Sequence, residues 1–271
     1  MAIELDRFCI NRKVAPGLTL PAFFRLAKRL GINKVELRND MYSGNVTDNL
    51  SHARVSTLAE QHQLEIVSIN ALYPFNQLTP QLLERAEVLL QEANDLNAKA
   101  IILCPLNDGT PVSVQETKQA FTLLSAMFIE AGVEALVEPL GFPVSSLRSA
   151  HQTQQLIRET NVPFRIVLDT FHHHLYEQAE NEFALGIDVE NIGLVHLSGV
   201  EDKRPAFELT DEQRVMLSKE DVLNNVSQVK RLEKMGYRGN YSFEPFSSSL
   251  ADWDESQIEK SVRESIALLQ V

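Results

Sequence analysis

Basic side chains are in deficit: 25 Lys and Arg face 37 Asp and Glu across 271 residues, a net charge of −12. A chain of that sign repels phosphate backbones, which argues against a nucleic-acid partner. Cysteine is almost missing as well. Cys9 and Cys104 each sit in an apolar run and read as reduced core thiols rather than a disulfide framework. No apolar run approaches the roughly 20 residues that span a bilayer, so no membrane partner is expected. The start, MAIELDRF, has neither the basic stretch nor the apolar core of a secretory signal. These absences together lead to the expectation of a cytoplasmic protein. The sequence also lacks a Pro/Gly/Ser-rich linker and any low-complexity tract. No G-x-G-x-x-G follows the first β-rich run, which removes the fingerprint of an open dinucleotide-binding sheet.

What is present is a rhythm of two periodicities. β-rich apolar runs at 8–11, 34–38, 65–70, 100–104, 133–137, 164–168, 192–195 and 241–243 alternate with amphipathic stretches. Those stretches fall at 20–30, 49–62, 80–96, 114–131, 147–159, 177–185, 221–235 and 256–269. Leu20, Phe23, Phe24, Ala27 and Leu30 show the helical spacing, and Gly31 stops it. Pro80 stands at a first helical turn, where a missing N–H costs nothing. Strands alternating with helices imply a parallel sheet. Eight units on a chain close to the ~250 residues of such folds predict an α/β protein, a closed (β/α)₈ TIM barrel, as one domain over 1–271. The segment 197–218 breaks the period. It carries Glu201, Asp202, Lys203, Arg204, Asp211, Glu212 and Arg214, and belongs on the C-terminal face where barrel sites are built.

Four successive strands end on ligand-type side chains. The fifth closes on Glu138, the sixth on Asp169, the seventh on His196 and the eighth on Glu244, with Pro139 and Pro245 after the two glutamates. Singly, each reads as a structural residue at a strand end. Together they carry more weight, because an apolar strand that terminates in a charge must place it at the barrel mouth or leave it unpaired in the core. Three anions meeting there repel one another unless a cation neutralises them. Two Glu, one Asp and one His form a mixed oxygen and nitrogen set for one divalent ion. Arg38 and Asn70 end the second and third strands and point to the same mouth, or else bridge loops. The run His172-His173-His174 is either a solvated loop or a source of one imidazole for substrate, His172 being three residues after Asp169.

These residues resemble the xylose-isomerase-like barrels of the sugar isomerase and epimerase superfamily, and within it the inosose (2-keto-myo-inositol) isomerases of inositol catabolism. The likeness runs nearly the whole chain, through VELRND at 35–40, INALYPFN at 69–76, LVEPLGFP at 136–143, VLDTFHHH at 167–174 and VHLSGVEDKRPAFELTDEQRV at 195–215. It implies one divalent ion (Mn, Co, Zn or Mg) held by Glu138, Asp169, His196 and Glu244. Glu138 and Glu244 would double as the acid/base pair, and His172 and Arg214 would face substrate, joined there by Asn70 and Arg38 where the strand phase brings them to the mouth. The implied activity is carbonyl migration on a small polyol or ketose through an enediolate; ketose 3-epimerisation and inosose dehydration are the near alternatives, and a non-catalytic polyol-binding barrel a remoter one. A homo-oligomer is compatible with the resemblance. Two stretches depart from it: relatives carry a Gly-containing turn where Met216-Leu217-Ser218-Lys219-Glu220 stands, and an Arg-containing aromatic loop where Phe246-Ser247-Ser248-Ser249 stands. Apurinic-site endonucleases share this barrel but need further histidines for a three-zinc site. Arg38, Asn70 and Cys104 occupy the strand ends in question, which argues against that activity.

Overall fold

The computed structural model describes residues 3–270. Eight strands close into a barrel in chain order: β1 (Phe8–Asn11), β2 (Lys34–Arg38), β3 (Glu65–Leu72), β4 (Ala100–Leu103), β5 (Glu134–Val137), β6 (Arg165–Asp169), β7 (Ile192–Leu197) and β8 (Asn240–Phe243). Every neighbouring pair is parallel, and β8 pairs back onto β1. The helices are α1 (Leu20–Leu30), α2 (His52–His62), α3 (Pro80–Asp95), α4 (Val114–Ala131), α5 (Ala150–Thr160), α6 (Thr170–Leu175), α7 (Ala179–Leu185), α8 (Asn225–Met235) and α9 (Glu255–Leu269).

Alternation along the strands divides the core in two. Val35, Leu37, Ile101, Leu103, Val195, Leu197, Tyr241 and Phe243 point outward into the layer shared with the helices. The residues between them point inward. Ala100, Ile102, Leu136, Val167 and Leu194 form a separate apolar cluster inside the barrel. Leu136, Val167 and Leu194 each lie two residues before Glu138, Asp169 and His196, so the charged groups rest one layer above this apolar floor.

Helix ends explain most differences from the sequence reading. The predicted starts at 49 and 147 move to His52 and Ala150 because Ser51 and Ser149 cap those helices, accepting from the N–H groups of Arg54 and Gln152. α8 begins at Asn225 rather than 221 because the Asp221 carboxylate accepts from the N–H groups of Val200, Leu223 and Asn225, which builds a turn there. α6 is a helix where a solvated histidine loop was an alternative. β3 runs two residues past Asn70. The segment 197–218 is not structureless. It holds short 3₁₀ turns at Ala206–Glu208 and Asp211–Gln213, and an antiparallel bridge between Gly199 and Val215 folds it back over the barrel mouth. A Cβ on Gly199 would stand 2.7 Å from the Met216 carbonyl oxygen, so this close return requires glycine.

Candidate metal centre

Strand register gathers the four side chains. Asp169 is level with His196, and His196 with Ser242, while Glu138 and Glu244 follow their strands by one residue. One ligand atom from each of Glu138, Asp169, His196 and Glu244 lies within 4.8 Å of the others, and all four residues are buried. Metal–ligand bonds of about 2.0–2.4 Å allow opposing donors up to about 4–4.8 Å apart, so the set is of a size to enclose one ion. Three carboxylates and an imidazole suit a divalent cation.

The same atoms make a dense polar network. His196 Nδ1 lies 2.8 Å from Glu138 Oε1 and 3.1 Å from Glu244 Oε2. Arg214 donates through Nη2 to Asp169 Oδ2 (2.6 Å) and Glu244 Oε2 (3.0 Å), and through Nε to Ser198. Arg38 donates to Glu244 Oε1, and its other nitrogens grip Asp40 at 2.7 and 2.9 Å. Both guanidiniums lie against the ring of Phe246, at 4.9 and 4.5 Å from its centre. Asp169 also caps a helix. Its Oδ1 accepts from the N–H groups of Phe171 and His172 at the start of α6, which fixes the position of His172. Gly141 lets the loop after β5 press on this helix, since a Cβ there would sit 2.0 Å from the His172 carbonyl oxygen.

Burial and charge pull these groups apart. Burial lowers the affinity of the His196 ring for a proton, but Glu244, Glu36 and Glu138 outweigh it and hold its pKa well above the ordinary histidine value. Burial raises Glu244, and His196, Arg38 and Arg214 overcome it, leaving the carboxyl well below its usual range. Asp169 is raised, because burial and the neighbouring Glu244 outweigh the pull of Arg214. His172 is pushed down to about 4 by burial and by Arg214, so its ring is neutral at pH 7. Burial and Glu138 push the Cys104 thiol up, away from thiolate.

A cavity of about 270 Å³ opens above the centre, and Arg38, Asn70, Glu138, His172, Arg214 and Glu244 all line it. Asp169 and His196 are buried behind that wall. Two sequence readings change. Asn70 is not a strand end but an interior residue of β3, 1% exposed, whose amide donates to Glu36. Cys104 is not confined to the core; it lines the cavity with Sγ 3.6 Å from Glu138 Oε2. Lys203 and Arg204 are exposed, with Arg204 paired to Asp202, and neither lines the cavity. Sequence reasoning missed Glu36, which is fully buried beneath His196. The signal was there: in KVELR, alternation puts Glu36 on the same face as Arg38, a charge inside a strand rather than at its end. It also missed Asn107 and Phe142, which line the cavity from loops beside Phe246, a residue the sequence marked only as a departure from relatives. His172 Nδ1 and Asn107 Oδ1 are buried without a hydrogen-bond partner among the described residues.

Residues 24–270 match the family described as xylose isomerase-like TIM barrel. The chain belongs to this family. Among solved structures, this xylose isomerase-like barrel is 61% identical to a xylose isomerase domain-containing protein of Salmonella typhimurium LT2, covering 99% of each chain with a TM-score of 0.98. It has the fold of the IolI protein with a zinc atom (20% identity, 97% and 98% covered, TM-score 0.86). It also shares the fold of a D-allulose 3-epimerase from Methylomonas sp. in complex with D-allulose (18% identity, 97% of each chain covered, TM-score 0.70). No curated protein matches the chain. Among the described residues, no helix is long and apolar enough to cross a membrane.

Proposed function

We propose that the chain is a single-domain, divalent-metal-dependent isomerase that moves a carbonyl on a small cyclic polyol through an enediolate, with 2-keto-myo-inositol as the leading substrate. The observation that carries this reading is the placement of Glu138 after β5 and Glu244 after β8. Both reach His196 Nδ1, and both also line the cavity. Glu138, Asp169, His196 and Glu244 would hold the ion, one of Mn, Co, Zn or Mg, and the donor chemistry and spacing fit it. When bound, a divalent ion supplies Lewis-acid stabilisation of the negative charge that grows on the carbonyl oxygen.

The protein's own residues would do the rest. One of Glu138 and Glu244 would take the proton from the hydroxyl-bearing carbon beside the carbonyl, the other would return one to the former carbonyl carbon, and the hydroxyl proton would pass to the former carbonyl oxygen. Arg38 and Arg214 keep positive charge beside Glu244, which holds that carboxyl ionised and ready to accept a proton. His172 and Asn107 line the cavity wall and would offer polar groups to the hydroxyls of a polyol. Phe142 packs edge-on against the His172 ring and fixes its plane.

Charge and size support a neutral, unphosphorylated substrate. Glu36, Glu138, Asp169 and Glu244 are met by Arg38 and Arg214. Asp40 and Asp211 also pair with these two arginines, so even with a dication bound no unmatched positive charge is left to answer a phosphate. Small-ligand pockets run about 300–1,000 Å³, so this cavity is at the monosaccharide end. The family and its neighbours, an epimerase among them, keep ketose 3-epimerisation and inosose dehydration as alternatives on the same residues.

The test is NMR of metal-loaded protein with candidate substrates in D₂O. Deuterium appearing beside the ketone of an inosose, with a new inosose product, is the expected result. Exchange with a free or phosphorylated ketose and with no inosose would overturn the inositol reading in favour of epimerisation.

A further inference from the structure

Glu36 takes no part in the mechanism above, yet it lies directly against His196. Its side chain is wholly buried. Oε1 accepts from Ser242 Oγ and from Asn11 Nδ2 at 3.2 Å. Oε2 accepts from Ser68 Oγ and from Asn70 Nδ2 at 3.0 Å. Oε2 also lies 3.2 Å from His196 Nε2, on the side of the ring away from Glu138 and Glu244. Four neutral donors from β1, β3 and β8 thus solvate a carboxylate that water cannot reach. Such a carboxylate is an acceptor only, so the ring nitrogen facing it must carry a hydrogen.

We propose that Glu36 is a positioning residue that keeps the proton of His196 on Nε2, so that Nδ1 presents its lone pair to the metal. The proposal rests on the metal-centre reading. The nitrogen a histidine offers to a metal is set by the hydrogen bond its other nitrogen makes. Here Nδ1 is the nitrogen beside Glu138 and Glu244, and Nε2 is the one held from beneath. A glutamine at position 36 could turn its NH₂ toward Nε2. That would invert the tautomer and put a hydrogen on Nδ1, where the metal belongs.

The alternative is that Glu36 only ties strands together. Zn²⁺ affinity of wild type and Glu36→Gln, measured by competition with a chelating dye, and long-range ¹H–¹⁵N NMR of the His196 ring in the zinc-loaded protein separate the two. The expected wild-type spectrum has a zinc-shifted Nδ1 and a protonated Nε2. The variant is expected to stay folded without metal, at a melting temperature lowered by the lost Glu36–His196 pairing, and to bind Zn²⁺ about 10–100-fold more weakly. Unchanged affinity in a folded variant would overturn the proposal. So would a wild-type spectrum with Nε2 on zinc and Nδ1 protonated, a result that needs no variant to fold. If wild type takes up no divalent ion at all, the metal-centre reading falls and this inference with it. Uptake by wild type with no effect of Glu36→Gln removes this inference alone.

Discussion

Metal binding is expected to expel one proton from His196. Glu36, Glu138, Asp169 and Glu244, with Asp40 and Asp211 beyond them, outnumber Arg38, Arg214 and Lys13, which leaves negative charges unmatched. In the metal-free protein a protonated His196 offsets one of them, which is why its pKa is held well above the ordinary value of about 6.5. A metal on Nδ1 needs the neutral ring, so the ion and the proton compete. The sign follows. Below the raised pKa the ring must shed a proton to bind, and affinity should rise about tenfold per pH unit until that pKa is passed. In the metal-free protein, the stability gained from protonated His196 is full below about pH 6.5 and fades as pH climbs through the raised folded value. At a free metal concentration of 100 times Kd, binding should add about 2.7 kcal/mol. For a chain of this size that is roughly 5–11 °C in Tm. Titration calorimetry in two buffers of different ionisation heat counts the protons, and thermal melts measure the gain. An ion bound with no proton released, or an affinity flat between about pH 6 and 8, would refute the reasoning.

His196→Ala should lose the roughly one equivalent of metal that protein purified without chelator carries; full occupancy by metal analysis would remove His196 from the ligand set. Glu138→Gln and Glu244→Gln should each keep the fold and lose about 10²–10⁴ in turnover, because an amide still offers an oxygen but accepts no proton. Near wild-type rates would assign the proton transfer elsewhere. His172, held at about 4 against about 6.5 unfolded, should give stability that is full above pH ~6.5 and falls by about 3 kcal/mol as pH drops toward 4. Urea melts at the two extremes should show a loss larger in wild type than in His172→Gln by about that amount, since His173 and His174 are lowered too. Gly141→Ala should cost about 1–3 kcal/mol by pushing α6 off its seat, read as a lower melting temperature.

Much of this molecule is local and so was legible in the chain. Period-two and period-3.6 patterns place eight strands and most helices, and a chain of alternating units has few ways to bury both faces of a parallel sheet. The four ligand-type residues announced themselves because each ends an apolar run, where a charge has no local reason to be. The sequence could not say how the strands align. Register around the closed barrel brings Asp169 level with His196, and it sets Glu36 beneath the ring rather than at the mouth. It also decided that Arg214, from a segment 18 residues past His196, returns to pair with Asp169 and Glu244. Asp169 capping α6 was readable as an Asp before a helical turn, but that the cap also faces a cationic neighbour was not. Hydrophobic period is written in each segment, whereas the partners of buried polar groups are chosen across the barrel, by residues as many as 233 positions apart in the chain.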